Sequence, residues 1–162
     1  WGYELAEREY PEELKSGKLV IKDCICDAFL QNALLKPKEY SVIATMNLNG
    51  DYVSDMLAAQ VGGIGIAPGA NINYNSGHAI FEATHGIAPD IAGENIVNPC
   101  SIILSAVMML DYIGWGEAAS LITSAMEKLF SEGYATSDLA RFMDNGKPLG
   151  TNEFAEKLAN TL

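Results

Sequence analysis

Apolar residues recur at helical spacing through much of the chain and gather elsewhere into short blocks, a pattern that predicts helices alternating with brief strands. Tyr3, Leu5 and Ala6 among Glu and Arg suit the tail of an amphipathic helix broken by Pro11, and Ser16-Gly17-Lys18 reads as a turn. Cys24, Ile25, Ala28, Phe29, Leu34 and Leu35 keep a helical repeat that starts at Asp23 and ends before Pro37. Ser41 to Met46 reads as a short buried strand, followed by a helix from Asp51 to Gln60 that Gly62-Gly63 stops. Ile64 to Ala67 predicts a second buried strand, Pro68-Gly69 a turn, Asn71 to Gly77 a polar loop, and His78 to Glu82 a further strand. Ala83 to Gly93, with glycine and proline at both ends, reads as a loop too apolar to be a solvated linker. Asn98-Pro99 opens the clearest helix, with Asn as N-cap, Pro in the first turn and Gly114 beyond its end; its apolar residues nearly encircle it, which predicts burial. Glu117 to Phe130 predicts an amphipathic helix closed by Gly133. Ser137 to Met143 and Thr151 to Leu158 predict two short ones, the latter capped by Thr151. This alternation points to an α/β architecture.

Composition narrows the function classes. A chain of 162 residues, 49% hydrophobic, is long enough for a sizeable core. A formal net charge of −11 argues against nucleic acid as a partner, since a phosphate-binding surface needs clustered Lys and Arg. The apolar run from Ile102 to Leu110 is far short of the roughly 20 residues that span a bilayer, so no membrane partner is expected. Cys24, Cys26 and Cys100 form an odd set without zinc spacing and read as reduced core thiols of a cytoplasmic protein. Residue 1 is Trp and no signal-like segment follows, which gives the expectation of a cut through a longer chain.

The candidate chemistry centres on Asn47-Leu48-Asn49-Gly50-Asp51-Tyr52-Val53-Ser54-Asp55. Asp51 and Asp55 stand four residues apart at the start of the expected helix, one above the other on one face. Like charges so placed repel by roughly 0.2–0.5 kcal/mol unless something positive lies between them. Two readings follow: a hard divalent cation such as Mg²⁺ or Mn²⁺ bridges the pair, or Asp51 complements the helix dipole while Asp55 faces water. Asp27 lies inside the earlier helix beside Cys26, Ala28 and Phe29, and by itself reads as solvated. Gly62-Gly63-Ile64-Gly65-Ile66-Ala67-Pro68-Gly69 invites a dinucleotide fingerprint, but it follows a helix, opens none, and carries Pro68 where the motif wants glycine. A Rossmann motif is therefore rejected.

The Asn47–Asp55 run, continued by Gln60-Val61-Gly62-Gly63-Ile64-Gly65-Ile66-Ala67-Pro68-Gly69-Ala70-Asn71, resembles the signature of the isocitrate/isopropylmalate dehydrogenase family, with the nearest likeness to bacterial isocitrate dehydrogenases. Phe81-Glu82-Ala83-Thr84-His85-Gly86, with Ala88-Pro89 and Asn98-Pro99, resembles that family's adenosine-binding loop. The resemblance implies an α/β fold without Rossmann topology, of which this chain would be the C-terminal part. Residues 1–61 would belong to the small, dimer-forming domain and 62–162 to the large cofactor-binding domain. It further implies Asp51 and Asp55 as ligands of a catalytic Mg²⁺ or Mn²⁺, with Asp27 reaching the same ion from the other subunit of a homodimer. Asp51 is also the implied catalytic residue, helping to remove the hydroxyl proton of isocitrate. Such an ion would hold the substrate's carboxylate and hydroxyl and stabilise charge as CO₂ leaves. Glu82, Thr84, His85, Gly86, Ala88, Asp90, Ile91 and Asn98 are the implied cofactor-binding set, with Glu82 near the nicotinamide ribose and Ala88 and Asn98 beside the base.

Cofactor choice is argued from charge. NADP-linked bacterial members carry Lys-Tyr where this chain has Asp90-Ile91, and Tyr where it has Ser137. A carboxylate repels a 2′-phosphate and accepts hydrogen bonds from ribose hydroxyls, so NAD is expected. Arg141, which stands where NADP members place a phosphate-binding arginine, is read as structural. The substrate and acid/base residues of the family lie upstream, which implies that these 162 residues alone are inactive. Isopropylmalate, homoisocitrate or tartrate dehydrogenation, and a non-catalytic regulatory subunit, are the alternatives.

Overall fold

Pro11 divides the first helical run into α1 (Gly2–Glu9) and α2 (Pro11–Ser16), because proline disrupts a helix interior but suits a first turn. Gly17, at φ 74°, ends α2 in the left-handed conformation. α3 (Cys26–Leu35) buries Phe29 and Ala33, and Phe29 meets the Tyr40 ring edge-on at 5.2 Å between centroids. The Tyr3 hydroxyl donates to the Asp23 carboxylate at 2.6 Å and tethers α1 to the segment before α3. These elements make one compact unit, Trp1–Met46, of the computed structural model, which describes all residues from Trp1 to Leu162. The strand expected at Ser41–Met46 is absent: the segment joins no sheet, and Val42 and Met46 are 88% and 74% exposed. An apolar block becomes a strand only where a neighbour accepts its backbone groups, and no segment of this chain does so.

The second unit, Asn47–Leu162, opens with α4 (Asn47–Val61), which buries Val53 and Ala58. It begins a full turn earlier than expected, so Asp51 lies inside the helix rather than at its start. Gly50 had weakened the helical signal there, and packing overrides that weakness. Gly62 and Gly63, at φ 135° and 117°, stop the helix. Ile64–Ile66 then forms a 3₁₀ turn where a strand was expected, and Pro68-Gly69 opens a strand where a turn was expected. Pro68 is tolerated as the first residue of a strand, where its missing N–H leaves no gap in the ladder. β1 (Pro68–Ile72) pairs antiparallel with β2 (Ala79–Ala83), with Pro68 opposite Ala83 and Ile72 opposite Ala79.

α5 (Cys100–Tyr112) packs on this hairpin and on α6 (Gly116–Ser131). Two fully buried serines, one turn apart, join α5 to the hairpin. Ser101 Oγ donates to the Ala67 carbonyl and accepts from the Thr84 N–H. Ser105 Oγ accepts from the Gly69 N–H at 3.1 Å and lies 2.8 Å from the Glu82 carbonyl. The expectation that α5 is buried all round is corrected: Ile102 and Tyr112 are 50% and 41% exposed, and the covered face is the one bearing the serines. β3 (Tyr134–Thr136) and β4 (Lys147–Leu149) form a short parallel pair, with α7 (Ser137–Ala140) between them in sequence. α8 (Thr151–Ala159) sends Phe154 and Leu158 into a core with Cys100, Ala125, Met126 and Leu129. Its N-cap is Gly150, not Thr151.

Candidate metal pair and nucleotide loop

Asp51 and Asp55 lie on successive turns of α4, both exposed, with Val53 and Ala58 holding the opposite face in the core. Neither carboxylate takes part in an ion pair; those the chain forms are Trp1–Glu4, Arg8–Glu9 and Lys36–Glu39. Ser54 donates to the Asp51 carbonyl, which leaves both carboxylates uncommitted. Two bare, hard-oxygen ligands at this spacing fit a divalent cation that takes the rest of its shell from elsewhere. Asp27 is exposed in the first turn of α3, and its Oδ1 accepts from the Ala28 N–H at 2.7 Å. Neither unit gathers three His, Cys, Asp or Glu side chains into a metal site by itself.

The residues implied for the cofactor fall on β2 and the loop after it. Glu82 is exposed on β2, and its Oε1 accepts from Asn71 Nδ2 at 3.0 Å. Thr84 closes the strand: its hydroxyl donates to the Ala67 carbonyl at 3.0 Å. His85 is half-buried, with Nδ1 at 2.9 Å from the carbonyl of Gly86. Ala88 holds φ 41°, a left-handed conformation costly for any residue with a β-carbon, and introduces the 3₁₀ turn Pro89–Ile91. Asp90 on that turn is exposed and Ile91 half-buried.

Asn98 is the most buried of this set. It is 5% exposed, and both ends of its amide are engaged within the chain. Its Oδ1 accepts from the Cys100 N–H at 2.9 Å, and its Nδ2 donates to Asp138 Oδ2 at 2.9 Å. Thr136 donates to the other Asp138 oxygen at 2.6 Å. Asn98 therefore serves the start of α5 as expected, by side-chain capping one residue ahead of the formal cap Pro99. Asp138, which sequence reasoning passed over, ties α7 to Asn98 at the start of α5. No short-range pattern signals a partner forty positions away. Burial pushes the Cys100 thiol up to about 12, and the Asp138 carboxylate adds to the effect. Arg141 is exposed with its guanidinium 4.7 Å from the Phe142 ring centroid.

The family model for isocitrate/isopropylmalate dehydrogenase matches residues 2–158. The chain belongs to the isocitrate/isopropylmalate dehydrogenase family. A Streptococcus mutans protein named isocitrate dehydrogenase [NADP] is 58% identical over 162 residues, all of this chain and 41% of that protein. A Streptococcus salivarius protein of the same name is 65% identical over 140 residues, 86% of this chain and 36% of that protein. Among solved structures, isocitrate dehydrogenase from Methylococcus capsulatus superposes with a TM-score of 0.84 at 37% identity, covering 98% of this chain and 43% of that one. The expected dehydrogenase-type α/β fold is thus present, as a partial chain. It spans less than half the length of these curated relatives. Their names specify NADP and lend no support to the expected NAD type. No helix is long and apolar enough to cross a membrane.

Proposed function

We propose that this chain is the C-terminal part of a divalent-metal-dependent isocitrate dehydrogenase that acts as a cytoplasmic homodimer and converts isocitrate to 2-oxoglutarate and CO₂. The observation that carries the reading is the exposed Asp51–Asp55 pair on one face of α4, free of any cationic partner, in a chain matched to the family nearly end to end. Asp51 and Asp55 hold Mg²⁺ or Mn²⁺, with Asp27 contributed by the partner protomer. When bound, the ion supplies a Lewis acid that orients the substrate and offsets developing negative charge. Asp51 also accepts the hydroxyl proton. In this reading residues 1–61 belong to the small domain of the complete fold and 62–162 to the large one. The chain's first compact unit ends at Met46 and its second begins at Asn47, which groups α4 with the residues after it.

NAD is the proposed cofactor. Asp90 projects an exposed carboxylate from the 3₁₀ turn of the nucleotide loop, and Ser137 offers no phenol to a phosphate. Arg141 rests against Phe142 and is one cation where a 2′-phosphate needs several donors. NADP is the second reading, favoured by the names of the relatives. In the full-length protein, isocitrate turnover is expected to vanish with EDTA and return with Mn²⁺, and kcat/KM is expected to favour NAD. Replacing Asp90 with Lys should then shift the NADP/NAD ratio of kcat/KM upward by at least about tenfold. Faster turnover with NADP in the unaltered protein would transfer the assignment to the second reading, and metal-independent turnover would remove Asp51 and Asp55 from the reaction.

A further inference from the structure

Residues 85–94 cross the surface with no side-chain hydrogen bond to another element; their bonds are internal ones, such as Ile91 N–H to the Ala88 carbonyl at 3.1 Å. The loop is held at its two ends. Thr84 fixes the first through Ser101 and the Ala67 carbonyl. The second end is held by α8, more than fifty residues away in sequence. There the Thr151 N–H donates to the Asn95 carbonyl at 2.9 Å, and the Asn152 N–H donates to Asn95 Oδ1 at 2.9 Å. The Thr151 hydroxyl donates to the Val97 carbonyl.

The first turn of α8 leaves N–H groups without intrahelical acceptors, and Gly150 has no side chain to meet them. Asn95 takes that role from across the fold, its amide oxygen standing where an N-cap side chain would stand. It adopts φ 58°, a left-handed conformation that asparagine tolerates better than most residues. Gly150 is shaped to receive it. Its backbone, φ −72° and ψ 168°, would accept any residue, but a β-carbon there would meet the flexible end of Glu153 first and would lie 2.5 Å from Asn95 Nδ2 and 2.8 Å from the Asn95 carbonyl oxygen, which is backbone and cannot swing aside. α8 is itself fixed by Phe154 and Leu158 in the core, so Asn95 transmits the core's rigidity to an otherwise loosely held loop.

We propose that Asn95 is a positioning residue for dinucleotide binding: by capping α8 it sets the place of the loop that carries His85, Ala88 and Asp90, and Gly150 stays small to seat it. The inference rests on the reading of that loop as the nucleotide site. In the full-length protein, Asn95→Ala and Gly150→Ala raise the KM for the dinucleotide about five- to tenfold, the scale of one capping interaction, with kcat and the isocitrate KM little changed. Asn95→Asp keeps the acceptor oxygen and restores the KM. His85→Ala separates the two levels of the claim. If His85→Ala raises the dinucleotide KM while Asn95→Ala and Gly150→Ala only lower the melting temperature, Asn95 is a structural cap and the inference falls while the loop assignment stands. If none of these variants moves the dinucleotide KM, both fall. Should Asn95→Ala fail to fold, the comparison of Gly150→Ala with Asn95→Asp carries the test: a raised KM in the first and a normal one in the second support the proposal, and equal values overturn it.

Discussion

At the scale of single residues, the three cysteines divide sharply by environment. Of the three expected core thiols only Cys100, 1% exposed, lies in the core, and Cys24 and Cys26 are exposed because the segment around them packs against no other part of the chain closely enough to cover them. The Cys100 thiol, raised by burial and by Asp138 from 9.0 to about 12, holds its proton more tightly in the folded state than in the unfolded one. The unfolded chain therefore releases this proton first as pH rises. The contribution of Cys100 to stability is complete below pH 9.0 and is lost progressively toward pH 12. At pH 8, iodoacetamide is expected to label Cys24 and Cys26 in the native protein and to reach Cys100 only after denaturant is added, which mass spectrometry of the labelled peptides reads directly. Early labelling of Cys100 would show that its side of the core opens readily. Legibility at this scale was uneven. The capping of Cys100 by Asn98 was legible from the Asn-Pro pair, whereas Asn95 and Asp138 gain their partners only through folding, fifty-seven and forty residues away in sequence.

At the scale of elements, α5 and α6 were legible because length, period and end signals agree, and β2 because an apolar block is bounded by turn residues. Ile64 to Ala67 was misread because a four-residue apolar block does not distinguish a 3₁₀ turn from a strand. β3 and β4, with three residues each, are too short to leave a periodic signal. The junction between α5 and the hairpin depends on hydroxyls rather than on apolar contact alone. Ser105 serves the Gly69 N–H and reaches the Glu82 carbonyl from a fully buried position. Ser105→Ala leaves that buried N–H without an acceptor, which should cost about 1–3 kcal/mol in urea unfolding and speed hydrogen exchange at Gly69. Stability within about 0.5 kcal/mol of the parent would mean that water replaces the hydroxyl and that the hairpin is held by packing.

At the scale of the whole molecule, the chain carries the loop of residues 85–94, proposed to meet the dinucleotide and braced by α5 and α8, in one unit and an exposed aspartate on α3 in the other. Each unit has its own buried residues: Ala6, Phe29 and Ala33 in the first, and the α5–α6–α8 core in the second. The central claim is that carboxylates from two protomers share one divalent ion. Mn²⁺ binding followed by electron paramagnetic resonance on co-refolded full-length variants tests it most directly. Asp27→Asn and Asp55→Asn homodimers should each bind Mn²⁺ weakly. Mixed dimers of the two would bring an intact Asp51–Asp55 pair together with an intact Asp27 at one of their two sites, so random pairing should restore tight binding to about a quarter of all sites. Restoration at that level is the predicted result, and a mixture that binds no better than its separate components would contradict the shared site.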